Sequence, residues 1–121
     1  MLLDSNIIIY ATHAEHTGLR RFIADNDVAV SAVSYVETLG YHRLSDADRA
    51  TLVAFFTSAV MLPITPVILD RAVQLRQTRK MSLGDALVAA TALVNDRTLV
   101  TRNVKDFAWI EGLRLQNPLP D

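Results

Sequence analysis

The chain contains no cysteine. Disulfides, thiolate zinc sites and cysteine nucleophiles are therefore excluded, and a reducing cytoplasm suits the composition. Neither sign of charge is in surplus, because twelve Lys and Arg oppose thirteen Asp and Glu for a formal net charge of -1. Net charge thus does not advertise a nucleic-acid binder, although a local basic patch can still steer one. Long apolar runs are also missing. Ala86 to Val94 is one of the longest, and it falls far short of the roughly 20 residues that a membrane span requires. The opening "MLLDSN" meets an acid at position 4 and lacks a basic region, so a secretory signal is not expected. Glycine and proline number only four each, and no linker, repeat or low-complexity stretch appears. These absences predict a soluble cytoplasmic protein that does not associate with membranes.

Half of the 121 residues are hydrophobic, enough for a substantial core in one domain spanning 1–121. Leu2 and Leu3 open a short apolar strand that stops at Asp4. "NIIIYATHA" suits either strand or helix. Val28 to Val30 reads as a buried strand between Asp25-Asn26-Asp27 and Ser31. "SYVETLGYHRL" reads as a helix, with Ser34 as N-cap and Glu37 as its capping-box partner. Asp46 to Ala59 is another helix, with Leu52, Val53, Phe55 and Phe56 on its apolar side. "VMLPIT" is a strand that Pro63 confines to a sheet edge. Thr65 caps a helix with Pro66 at its first position, running to about Lys80. The next helix ends near Asp96, "TLVT" is a strand, "RNVKDF" a loop and "GLRLQ" a last short strand. Alternating helices and short apolar strands predict a three-layer α/β domain with right-handed crossovers. In such sheets ligands gather beyond the carboxyl ends of the strands.

One residue sits awkwardly in that scheme. In "SLGDALVAATALV", residues 82 to 94, Asp85 opens a helix that apolar side chains nearly encircle. A carboxylate beside a buried helix needs a partner or a metal. A plain account exists, because Ser82-x-x-Asp85 resembles a capping box and an acid in the first turn favours the helix dipole. Similar accounts serve Asp4 as a helix cap, Glu37 as a capping-box acid and Asp106 as a turn or cap residue. Yet Asp4, Glu37, Asp85 and Asp106, with Asn103, each fall at a strand exit or a helix start. Four acids on one sheet edge repel unless a cation sits among them. An all-oxygen cluster selects a hard cation, Mg²⁺ or Mn²⁺. Such a site suits phosphodiester hydrolysis, in which the metal activates water and neutralises phosphoryl charge.

The order "LLDSNIIIY", "SAVSYVETLGY", "SLGDALVAATAL", "LVTRNVKDF" resembles that of PIN-domain ribonucleases, and is similar to VapC-type toxins of type II toxin–antitoxin systems. The last two motifs are the most specific. The resemblance implies a PIN-like domain with a short, mostly parallel five-stranded sheet flanked by helices. It implies a Mg²⁺- or Mn²⁺-dependent endoribonuclease, leaving 5′-phosphate and 3′-hydroxyl ends. Asp4, Glu37, Asp85 and Asp106 would form the acidic site, with Asp4 and Asp85 as direct metal ligands. Asn6, Thr101 and Asn103 match the family's polar supports. A homodimer and a cognate antitoxin partner are also implied. The segment Thr12 to Gly18 matches nothing diagnostic.

Around these acids, Arg76, Arg79 and Lys80 close a helix, where they complement its dipole or touch phosphate. Arg102 and Lys105 flank Asn103 and are placed to touch RNA or balance the acids, whereas Arg20, Arg21 and Arg43 read as solvated charges. His13-x-x-His16 has ligand spacing but no third ligand type to support zinc, so it reads as a surface pair. His42 lies near a helix end, where a dipole contact accounts for it. Ser5 and Ser82 lack the context of a nucleophile. Phe107 and Trp109 read as packing on the sheet, with Trp109 partly exposed. Phe55, Phe56 and Val60 belong to the core, or else to a groove or dimer face for an apolar partner helix. Two rival functions remain: a catalytically inactive PIN-like regulator binding a protein or RNA partner, and a phosphoreceiver using Asp4 as nucleophile. The intact acids weigh against the first, and Asn6 in place of a second adjacent aspartate against the second.

Overall fold

The computed structural model describes residues 1–13 and 15–119. Residues 14, 120 and 121, which the single-domain expectation also spans, lie outside them. Five strands form one sheet in the order β3-β2-β1-β4-β5, with every neighbouring pair parallel. They are β1 (Leu2–Leu3), β2 (Ala29–Ser31), β3 (Val60–Leu62), β4 (Leu99–Val100) and β5 (Leu115–Gln116). The connections carry α1 (Ser5–Ala11) and α2 (Thr17–Asp25), α3 (Ala32–Leu39) and α4 (Asp46–Ser58), α5 (Pro66–Thr78) and α6 (Leu83–Val94), and α7 (Val104–Phe107). The chain winds outward from β1 to β3, then returns to the other side of β1 as β4. The crevice between β1 and β4 is thus the topological switch point, where open α/β sheets bind their ligands.

Strand side chains alternate between two faces, and both are covered. Leu2, Ala29 and Leu99 pack with Ile68, Ala72 and Leu75 of α5, the alanines of α6, and Phe107 and Ile110. Leu3, Val30 and Val100 pack with Ile7, Ile8, Leu19, Leu52 and Phe56 from α1, α2 and α4. Most strand residues are fully buried, as an interior parallel sheet requires, while β3 at the edge is half exposed.

Several local readings of the sequence hold and others shift. Thr65 caps α5 by accepting from the Ile68 N–H at 3.3 Å, and Pro66 is its first residue, though the helix ends at Thr78. Ser82 caps α6 through the Asp85 N–H at 3.1 Å. The ambiguous "NIIIYATHA" becomes helix α1 as far as Ala11, because Asp4 at its N-cap accepts from the Ser5 N–H and Ile7 and Ile8 face the core, and its last residue, 14, lies outside the described residues. The α3 boundary is a correction. Ser31, not Ser34, is the N-cap, bonded to the Val33 N–H, so α3 starts at Ala32 and Glu37 lies in its later half. A capping-box role for Glu37 is thereby excluded. "RNVKDF" also corrects from loop to the short helix α7.

Helix α6 packs closely against α5 because its inward side is small: Ala86, Ala89, Ala90 and Ala92 are each 0% exposed. Enlarging one of them overpacks the layer. Ala89→Leu is expected to lower unfolding free energy by about 1–3 kcal/mol, visible as a lower urea midpoint at unchanged slope.

Candidate functional site

Asp4 leaves β1 and Thr101 leaves β4, so the two residues stand side by side at the switch point. Asp4 is only 5% exposed and Thr101 is 0% exposed. The Thr101 hydroxyl donates to Asp4 Oδ2 at 2.8 Å, and the Ser5 N–H donates to Asp4 Oδ1 at 2.8 Å. Each carboxylate oxygen so engaged keeps a further acceptor position. Burial pushes the Asp4 carboxyl above its ordinary range. The bonds from Thr101 and Ser5 pull it partly back, and the charges of Asp85 and Glu37 push it up again.

The remaining acids arrive from three helices. Glu37 Oε1 accepts from the Ser5 hydroxyl at 2.8 Å. Ser34 Oγ lies 2.9 Å from Ser5 Oγ. Ser5 has one hydroxyl proton, which goes to the carboxylate, so Ser34 is the donor in that second bond. The carboxylate of Glu37 also leans on the first turn of α6, where a Cβ on Gly84 would collide with Oε2. Glycine therefore leaves room for the Glu37 carboxylate at the residue before Asp85. Asp85 is half-buried. Desolvation raises its carboxyl, the Ser82 hydrogen bond lowers it, and the charge of Asp106 raises it. Asp106 is exposed, and its N–H donates to the Asn103 carbonyl at 3.0 Å. The Asn103 N–H in turn donates to Thr101 Oγ at 3.0 Å. A continuous run of hydrogen bonds thus ties Asp4 through Thr101 and Asn103 to the backbone of Asp106.

Sequence reasoning missed Ser5, Ser34 and Gly84 as partners of the acids. A serine or glycine beside a motif acid carries no local signature of such a role, which depends on tertiary neighbours. Conversely, Asn6 is exposed and its side chain takes no part in these bonds. Asn103 contributes through its backbone while its side chain is exposed. Arg102 is turned away from the acids. It donates to the Tyr10 hydroxyl at 2.8 Å and lies 5.1 Å from that ring's centroid.

Among the described residues, the ion pairs are His13–Glu15 and Arg114–Asp96, and neither involves the four acids. The cluster therefore lacks a paired protein cation. Arg79, Lys80 and Lys105 line a cleft of about 300 Å³ with Asp85, Asp106 and Trp109, without pairing to either acid. A larger groove of about 640 Å³ lies between α5 and α6 and shares only Lys80 and Met81 with it. Among the described residues no three His, Asp or Glu side chains come together closely enough to hold a metal ion between them. The oxygen-only donors and the desolvated, mutually repelling carboxylates still fit a hard dication that keeps most of its water shell, for which one or two direct carboxylates suffice.

The PIN domain family model matches residues 1–112. Ribonuclease VapC10 of Mycobacterium tuberculosis is 34% identical over 122 aligned positions, covering 94% of this chain and 90% of that protein. Ribonuclease VapC2 of Rickettsia felis is 24% identical, covering 96% of each. Among solved structures, a toxin–antitoxin complex from Klebsiella pneumoniae has a chain 28% identical to this one, with a TM-score of 0.76 and coverage of 98% and 97%. DNA-bound VapBC from Salmonella typhimurium, 20% identical with a TM-score of 0.85 and coverage of 98% and 97%, shares the fold.

Thr101→Val keeps the side-chain shape and removes the donor to Asp4. With divalent ions chelated at pH 7.5, it is expected to lower unfolding free energy by about 1–3 kcal/mol. The fold disfavours ionised Asp4, so its raised pKa relieves the folded state as pH falls through that pKa towards the ordinary 3.8. The stability deficit of Thr101→Val should therefore narrow between pH 7.5 and 4, as denaturant melts would show. A deficit independent of pH would mean that Thr101 acts through its bond from the Asn103 N–H or through packing, and not through the Asp4 charge.

Proposed function

The chain belongs to the PIN-domain family, and on that footing we propose that it is a metal-dependent endoribonuclease, the toxin of a type II toxin–antitoxin pair. The observation that carries this reading is the buried Asp4 carboxylate. It is bonded to Thr101 across the switch point and lies within the field of Asp85 and Glu37, with no side-chain cation among the described residues paired to any of them. The VapC relatives supply the reaction class, and the Klebsiella complex supplies the role of toxin with an antitoxin partner. A cytoplasmic setting follows from the same reading. No helix among the described residues is long and apolar enough to cross a membrane. The activity resides in one domain spanning the chain.

Asp4 and Asp85 would hold Mg²⁺ or Mn²⁺, with Glu37 and Asp106 completing the shell directly or through water. When bound, such an ion polarises the scissile phosphate and makes a nearby water more acidic. The chain's own residues prepare the place. Thr101 and the Ser5 N–H hold the Asp4 carboxylate in one orientation, and the Ser5 hydroxyl does the same for Glu37. Fixing ligands through such outer partners preserves geometry that four repelling charges would otherwise spread. Asn103 carries this support to Asp106 through its backbone. Arg79, Lys80 and Lys105 are the cations placed to meet RNA phosphates, whereas the Arg102 guanidinium is held by the Tyr10 hydroxyl.

The antitoxin and a second copy of the chain both require apolar surface. Leu69, Val73 and Leu83 line the exposed α5–α6 groove, and Ile9 and Tyr41 line another depression at α1 and the α3–α4 connection. An apolar helix laid in such a groove is a common mode of partner capture.

Asp4→Asn and Asp85→Asn should each lower Mg²⁺-dependent RNA cleavage by at least about 100-fold, the loss of several kcal/mol of transition-state charge stabilisation. Circular dichroism should show the fold intact, since each change relieves repulsion. Expression of the unaltered chain should arrest growth, and the Asp85→Asn form should not. Undiminished metal-dependent cleavage by both purified variants would refute the assignment.

A further inference from the structure

Trp109 is the chain's only tryptophan. Its near neighbour Phe107 is 1% exposed and fills the core on the α5–α6 side of the sheet. Trp109 instead packs on that core only in part and forms a wall of the cleft beside Asp85 and Asp106. Its orientation is fixed, because the indole N–H donates to the Asp106 carbonyl at 3.0 Å. With that donor engaged, the chemistry left to the indole is its ring face. The Arg79 guanidinium carbon lies 5.6 Å from the ring centroid. The other cations of the cleft, Lys80 and Lys105, come from the α5–α6 connection and from α7.

We infer that this cleft is a subsite for single-stranded RNA, in which Trp109 stacks one nucleobase while Arg79, Lys80 and Lys105 take the flanking phosphates. The inference rests on the endoribonuclease reading and adds to it a residue that reads strandedness. A rigid aromatic face beside several cations is the chemistry that grips an unpaired nucleotide, because stacking suits any base and the cations follow the backbone. Acidic peptides would satisfy the cations but leave the ring without a role. The cleft's 300 Å³ is at the lower end of the size range of small-molecule sites. Asp85 and Asp106 line the same cleft, so a strand seated here brings its next phosphate to the acids. The guanidinium over the indole is a placeholder: an incoming base replaces it on the ring, and the freed cation moves to a phosphate. In a duplex the base faces are already stacked, so Trp109 selects unpaired segments.

The single tryptophan makes the test direct. Chelated protein, which does not cut, is titrated with a mixed-sequence 12-nucleotide RNA, either alone or annealed to its complement. Binding is followed by Trp109 emission and, independently, by the anisotropy of an end-labelled RNA. The single strand should quench the emission and the duplex should not. Trp109→Leu should weaken single-strand binding at least about fivefold, and Trp109→Phe should restore most of it, because a benzene face still stacks a base. Arg79→Gln should flatten the salt dependence by about one phosphate contact. Unchanged emission, with anisotropy showing equal binding by the native chain and Trp109→Leu, would overturn the subsite while leaving the nuclease reading in place. Equal quenching by duplex would overturn the selection of single strands. RNA bound by neither measure, with no metal-dependent cleavage, would overturn both readings together.

Discussion

The buried carboxylate of Asp4 is the constraint around which the site is arranged. An ionised group so placed is strongly destabilising unless hydrogen bonds or a counter-charge replace lost water. Here the replacement is partial. Two hydrogen bonds hold it, one from Ser5 beside it and one from Thr101, 97 positions away in sequence. The second exists because the sheet order sets β1 next to β4. The crossing of the chain at that point therefore creates the crevice and also brings the donor that lets an acid stand in it.

Helix α6 converts this single buried acid into a cluster. Its alanines let the helix pack deep in the core against α5, and its N-terminus holds Asp85 within the electrostatic reach of Asp4. At the same turn Gly84 leaves room for the carboxylate of Glu37. Small residues thus serve two ends in one helix: they pack the core on one side and bring negative charges together at the end. The apolar character of α6 and the acid in its first turn, an odd pairing in the sequence, are parts of one arrangement.

Much of this was legible from local pattern. The short apolar strands, Thr65 before Pro66, and Ser82 three residues before Asp85 are local signals, and the structure keeps them. The three isoleucines of "NIIIY" suited strand and helix equally, and packing beneath the Asp4 cap decided the matter. Glu37 misled in the opposite way. Ser34 and Glu37 have capping-box spacing, yet Ser31 at the strand's end takes the cap, which frees Ser34 and Glu37 to meet Ser5. Helix α7 is four residues long, too short for apolar periodicity to reveal. The partnership of Ser5 with Glu37 left no trace in sequence because each belongs to a different helix.

The disposition of the cations argues that the cluster is kept open for an exchangeable charge. Arg102 follows Thr101 directly, and a guanidinium turned towards Asp4 would relieve the repulsion and stabilise the fold. Instead it is occupied by Tyr10 through a hydrogen bond and the face of the ring. Arg79, Lys80 and Lys105 line the adjoining cleft and form no ion pair with the acids beside them. A side-chain cation fixed among the carboxylates would satisfy them permanently and occupy the place where the proposed dication and phosphate would meet. By holding its own positive charges just outside, the chain accepts a less stable unliganded state. It keeps a pocket whose deficit of positive charge would itself favour a dication, as the proposed function requires.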